Sequence, residues 1–303
     1  MKTKTIKMQK KKQTWDDILF DVIVTLLAAV LLVVFIYPLY YLVISSFSDV
    51  NAVVNGQVKW WFVGFSTESY ELMLQRADIW IGYANSILIT VSGTLINIIM
   101  TVIGAYVLYC PEFMPRSTIL KLMTFTMYFG GGLIPTFLLI QDLGMYNTVW
   151  ALIIPNAINV QNLIIARTFF QSNIPNELRE AAFLDGCSHT KLLCKVVLPL
   201  SKAIVAVLAL YYGVAHWNSY FNAMIYLRDD NLIPLQLVLR RILLTATSAE
   251  ESGADIATII KQIYLAEQLK YSSVIVASVP ALVAYPFVQK FFVKGVMIGS
   301  VKG

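Results

Sequence analysis

Six long intervals of this chain carry no acidic or basic side chain, and they constrain what it can fold into. They open between Asp21 and Asp49, Asp78 and Glu112, Lys121 and Asp142, Asp142 and Arg167, Lys202 and Arg228, and Lys270 and Lys290. Each supplies most or all of the ~20 residues that an α-helix needs to cross ~30 Å of hydrocarbon at ~1.5 Å per residue. No water is present there to bond a free N–H or C=O, so each interval is expected to be helical. Composition agrees: 58% of residues are hydrophobic and 14% are charged, where a soluble domain carries about a quarter, and mean hydropathy is +0.68. The expected fold class is all-α, a polytopic membrane protein with six transmembrane helices over 18–292, between a basic tail at 1–17 and a short tail at 293–303.

Lys and Arg placement sets the expected orientation. Six lysines precede the first interval, and an N-inside topology also puts Arg116, Lys121, Arg167, Arg179, Lys191, Lys195, Lys202, Lys290, Lys294 and Lys302 on the inner face. Both termini are therefore expected to be cytoplasmic. The first apolar stretch exceeds the roughly 7–15 residues of a signal-peptide core, so it is expected to stay attached. Lys10-Lys11-Lys12 lacks interleaved aromatics and precedes a span, which reads as a topology signal with no nucleic-acid partner. Outer loops are expected at 45–82, where Trp60, Trp61, Trp80 and Tyr83 suit the headgroup layer, and at 227–270, which holds Glu250, Glu251 and Asp255.

One inner loop, 171–201, is unusually polar and rich in helix signals. Pro175 suits a first helical turn, and Glu177 and Glu180 lie near the positive end of a short helix. Gly186 is placed to end that helix with positive φ, and Ser188 to cap a second one that stops before Pro199. The expected result is a helix-turn-helix knob.

Glu180-Ala181-Ala182, Asp185-Gly186 and Val196-Val197-Leu198-Pro199 resemble, in spacing, the EAA loop of permease subunits of ATP-binding-cassette importers. Gly130-Gly131-Gly132-Leu133-Ile134-Pro135 and the tail from Gln289 to Met297 resemble the carbohydrate-uptake branch, maltose-permease-like and closest to subunits for complex oligosaccharides. Cys187, Val196 and Ala203 depart from the family pattern, and none removes a charge or the turn glycine. The resemblance implies a type I importer permease fold and partners: a second homologous permease, two ATPase subunits, an extracellular solute-binding protein and membrane lipid. It also implies coupling to the ATPases through Glu180, Ala181, Ala182, Asp185, Gly186, Leu198 and Pro199, and the tail from Lys290 to Gly303, short, basic at its start and on the same side, is expected to touch them as well.

The chain has no GxxxxGK[ST] phosphate loop, so no cofactor is expected on it, and ATP and Mg are expected on the partner subunits. Cys187, His189 and Cys194 lack metal-ligand spacing, and no catalytic constellation is evident, so neither a metal site nor an enzyme is expected.

A saccharide path needs neutral hydrogen-bonding groups beside aromatic rings. Asn156, Asn159 and Asn162, at spacings that put them on a common helix face, and His216, Trp217, Asn218, Tyr220 and Asn222 are the in-span candidates. The competing reading makes such residues interhelical hydrogen-bond glue. Gly130, Gly131, Gly132 and Pro135 are candidates for a gating break or a close helix contact. Three alternatives stay open: an importer of a non-sugar solute such as peptide, a secondary carrier with few intramembrane charges to work with, and a scaffold that grips a cytoplasmic protein through the knob.

Overall fold

A computed structural model describes residues 14–251, 264, 266, 267, 269–283 and 286. The lysine run Lys10 to Lys12, Asp255 and the tail from Gln289 lie outside the described residues.

The chain is helical, and the described residues contain no β-structure beyond one isolated bridge between Ser48 and Phe65. The elements before the knob are α1 (Trp15–Ser46), α2 (Val50–Val54), α3 (Glu68–Gln75), α4 (Ala77–Tyr109), α5 (Arg116–Tyr128), α6 (Leu133–Asp142), α7 (Trp150–Ile153), a 3₁₀ turn (Ile154–Asn156) and α8 (Val160–Asn173). The knob is α9 (Asn176–Leu184), α10 (His189–Leu192), a π segment (Leu193–Val197) and α11 (Leu198–Leu200). Beyond it lie α12 (Lys202–Trp217), α13 (Phe221–Tyr226), α14 (Leu235–Glu251) and α15 (Leu269–Val283).

Among the described residues two helices, α1 and α4, are long and apolar enough to cross a membrane, and two bent pairs raise that number to four if each is one span. The breaks have local causes. The Lys121–Asp142 interval splits into α5 and α6 at Gly130 to Gly132, with a 116° bend and Gly132 at φ +87°. The Asp142–Arg167 interval splits into α7, the 3₁₀ turn containing Pro155, and α8. Proline lacks the N–H that would continue an α-helix through that point.

α1 begins with a capping box, in which Asp17 N donates to Thr14 Oγ1 and Thr14 N donates to Asp17 Oδ2. It is exposed from Trp15 to Leu39 and buries only Ile44, Ser45 and Ser46, so nearly all of it is left for lipid or another chain.

α4 is the mast of the fold, packing most extensively against α12, α8 and α14. Gly82, Gly93 and Gly104 recur every eleven residues, about three helical turns, and so share one face. A methyl group on them would stand 3.0 Å from Leu235 Cα in α14, 2.6 Å from His216 Nε2 in α12 and 3.0 Å from Leu163 Cδ1 in α8. Small residues that let backbones approach are the usual basis of helix association where lipid removes the hydrophobic drive.

Two apolar cores flank the middle of α4. One gathers Met73, Ile79, Ile89, Leu235 and Val238, and the other gathers Ala105, Phe170, Leu192, Val197 and Leu208. Between them lies a polar seam. Asn97 Nδ2 donates to the Asn156 carbonyl at 2.6 Å, leaving Asn97 Oδ1 to accept from His216 Nε2 at 3.0 Å. That network assigns the imidazole proton to Nε2. Asn159 N donates to Tyr212 Oη at 3.1 Å, and the Tyr212 hydroxyl shares a hydrogen bond with Thr101 Oγ1 at 2.6 Å. The seam binds α4, α12 and the broken segment before α8 together at one level.

Gly93 tests this packing. Gly93→Ala is expected to push the His216 ring off Asn97 and lower the thermal unfolding midpoint in detergent, with an overpacking cost of about 1–3 kcal/mol. Adding His216→Ala removes the clash, so the double variant is expected to be no less stable than His216→Ala alone. Additive losses would contradict the contact.

Candidate functional site

The 171–201 segment forms the expected two-helix knob, with two differences of detail. Pro175 is the N-cap of α9 rather than a residue of its first turn. The second helix does not stop before Pro199: it runs through the π segment and α11, and the chain turns at Ser201 with an 84° bend into α12. Pro199 lies in α11, directly after the π segment. Gly186 has φ +73°, and Ser188 Oγ accepts from Lys191 N at 3.4 Å as the cap of α10.

Glu180, Ala181, Asp185, Gly186 and Pro199 are exposed, whereas Ala182 and Leu198 are half-buried against the inner core. Leu184 projects from the knob with 88% of its surface free, an apolar tip on a polar element. Such a tip is suited to another protein's cleft.

The knob is held to the end of α4 by residues whose role the sequence analysis did not identify. Arg179 is 5% exposed, pairs through Nη1 with Glu112 Oε2 at 3.3 Å, and lies over the Tyr109 ring at 5.9 Å. Tyr109 Oη donates to the Ile174 carbonyl at 3.3 Å, and Tyr106 Oη bonds His189 Nδ1 at 3.1 Å. Arg167 Nε donates to the Leu108 carbonyl at 2.9 Å. One end of α4 thus grips α8, α9 and α10. A sequence signal was present: Arg179, Ala182 and Phe183 lie at i, i+3 and i+4 of a short amphipathic helix and share the face that packs.

The proposed path residues divide. Asn156, Asn159 and Asn162 do not share a helix face: Asn156 ends the 3₁₀ turn, Asn159 is the N-cap of α8, and the Asn159 side chain accepts from Asn162 N at 3.0 Å. The break at Pro155 replaces the continuous helix that their spacing suggested. His216 and Asn162 are buried, and His216 is engaged in the seam.

Trp217, Asn218 and Tyr220 instead line a cavity of about 1200 Å³ between α4, α12, α14 and α15. Asn222 is half-buried in α13 and does not line it. Thr90, on the cavity wall, lies some 28 Å along α4 from Tyr109 at the knob, at ~1.5 Å per residue. Gly130, Gly131 and Gly132 occupy the exposed break between α5 and α6 and Pro135 the first turn of α6, and among the described residues no atom lies within 4 Å of a Cβ built on Gly130 or Gly131. The close-contact reading of these glycines therefore does not hold within this chain.

No family model matches the chain. It is 36% identical to the polygalacturonan/rhamnogalacturonan transport system permease protein of Bacillus subtilis over 285 residues, covering 94% of this chain and 99% of that protein. This chain belongs to the permease subunits of ATP-binding-cassette transporters. The permease is also 28% identical to the melibiose/raffinose/stachyose import permease protein of the same organism, over 93% of this chain and 96% of that one. In fold it matches a chain of a bacterial ABC transporter involved in import of the acidic polysaccharide alginate, with a TM-score of 0.83, 30% identity and coverage of 93% and 100%. The permease is a membrane protein, and its knob lies in the stretch that carries the EAA resemblance.

The grip on the knob makes an ordered prediction. Glu112→Gln strands the Arg179 charge in a buried site at a cost of roughly 1–3 kcal/mol, which corresponds to a roughly 5–150-fold rise in the locally opened population. Tryptic cleavage at the exposed Lys191 and Lys195 is expected to accelerate by about that factor. Arg179→Met removes the charge altogether and is expected to accelerate it less. Equal rates in all three proteins would contradict the grip.

Proposed function

We propose that the permease imports a saccharide delivered by an extracellular binding protein, by alternating access driven by two partner ATPase subunits. A second permease chain completes the path, ATP and Mg are bound by the partners, and the saccharide cargo follows from what the similar permeases are named for. The reading takes the chain across the bilayer six times with both termini cytoplasmic, counting α8 with its preceding turns, and α15, as spans. The bent pairs α5–α6 and the knob–α12 unit would accommodate the shorter helices.

The arrangement that carries this reading is an exposed knob at one end of α4 and a large cavity toward the other. In the proposed cycle, closure of the ATPase dimer moves Glu180, Asp185 and Leu184 with it. The grip of Tyr106, Tyr109 and Glu112 passes that motion to α4, and the seam passes it to α12, which walls the cavity. Asp185 and Glu180 supply acceptors to the ATPase cleft, Ala181 lets the backbones approach, and Gly186 makes the turn that presents them. The flexible glycines between α5 and α6 serve as the hinge of an outer gate.

An affinity tag at Gly56, an exposed turn of the first outer loop, leaves the knob free for a pull-down from membranes. Recovery of a second permease and an ATP-hydrolysing subunit is expected, with both lost on replacing Leu184 by Glu. Recovery of this chain alone, from wild type in mild detergent, would contradict the importer reading.

A further inference from the structure

We infer that the cavity beside α12 recognises an acidic saccharide, and that Arg240 is the residue that reads its carboxylate. The inference rests on the saccharide-import reading and specifies its substrate class.

Arg240 is the only charged residue lining the cavity, and no carboxylate lines it among the described residues. Its guanidinium carbon stands 4.7 Å from the centre of the Tyr220 ring, so the cation is held over an aromatic face. The neighbouring Arg241 is paired with Asp230 at 2.5 Å, but Arg240 has no ion-pair partner among the described residues. A guanidinium half-buried in a largely apolar wall is costly to keep unless an anion completes it. Five N–H donors in a planar fork fit a carboxylate through two parallel bonds.

The remaining polar groups point to the rest of the ligand. Asn218 Nδ2 donates to the Val214 carbonyl at 3.0 Å, and Ser278 Oγ donates to the Val274 carbonyl at 2.7 Å. One amide hydrogen of Asn218 and the hydroxyl hydrogen of Ser278 are used within the protein, and the amide oxygen, the second amide hydrogen and the hydroxyl lone pairs remain for a ligand. Trp217 likewise gives its indole N–H to the Ala277 carbonyl at 3.0 Å and offers the cavity its ring. With Gln236 and Tyr220 also on its wall, the site exchanges hydrogen bonds with hydroxyls, covers apolar ring faces and offers a single cation. A uronic acid unit presents hydroxyl donors, an apolar ring face and an anion on one ring. A neutral hexose unit offers Arg240 hydroxyl oxygens but no anion to match its charge.

The test uses cells expressing the complete importer, with labelled galacturonate and mannuronate trimers and the same trimers after carboxyl reduction to neutral sugars. Wild type is expected to take up at least one acidic trimer and to lose that uptake on carboxyl reduction. Arg240→Gln is expected to raise the half-saturating concentration about 10–100-fold, the scale of one charge-assisted hydrogen bond, while still co-purifying with its ATPase. Arg240→Lys, which keeps the charge and loses the fork, is expected to fall between the two. Uptake of neutral trimers in preference to acidic ones would overturn the inference and leave saccharide import standing. Uptake of neither class would overturn both. An unchanged half-saturating concentration in Arg240→Gln, or a matching loss of ATPase co-purification, would remove Arg240 as the carboxylate reader.

Discussion

The structure depends on one contact level in the middle of α4, where Gly93 lets the His216 ring of α12 lie against the helix backbone and Asn97 bonds it. In lipid, apolar side chains gain little by meeting one another, so close packing and interhelical hydrogen bonds have to hold helices together. The contact supplies both. It also absorbs the carbonyl of Asn156 and, through Tyr212, the N–H of Asn159, two backbone groups left over where the chain breaks before α8. Backbone polar groups freed by a break must be satisfied within the protein wherever water is excluded, and the seam satisfies these two.

From that level the fold extends in two directions along one helix. Toward its C-terminal end, α4 closes on the knob through Tyr106, Tyr109 and Glu112, so the exposed knob is fixed to the helical body at several points. Toward its N-terminal end, Ile87, Thr90 and Val91 form part of the cavity wall, opposite Trp217 and Arg240. A mast gripped at one end, locked to α12 in the middle and lining a cavity at the other is a direct route for motion between the two proposed sites. No chain of loosely coupled side chains is needed.

Much of this was legible in the sequence, and the failures have identifiable causes. The charge-free intervals after Asp21 and Asp78 became the two unbroken helices, because neither contains glycines in series and the single proline in α1, Pro38, is accommodated within it. The knob followed from local chemistry alone: a turn glycine at 186 and a capping serine at 188 act through their own backbone. The Asn156, Asn159 and Asn162 spacing misled because periodicity assumes an unbroken helix, and Pro155 had already broken it. Arg179 was passed over because its partner Glu112 is 67 residues away, and no local pattern reports so distant a pairing. Arg240 is harder still to read from sequence. Its isolation becomes visible only when Arg241, beside it, is seen to hold Asp230.

The central claim, that α4 joins the knob to the cavity as one rigid body, is tested most directly by spin-label distances in the assembled complex. Labels at Leu184 on the knob and Ile87 at the cavity would be measured without nucleotide and with ATP trapped by vanadate. The account predicts one narrow distance distribution that stays in place in both states, while the distance from Leu184 to a label on the second permease shifts. A broadened or displaced Leu184 to Ile87 distance in the trapped state would contradict it, by showing that the knob moves independently of α4.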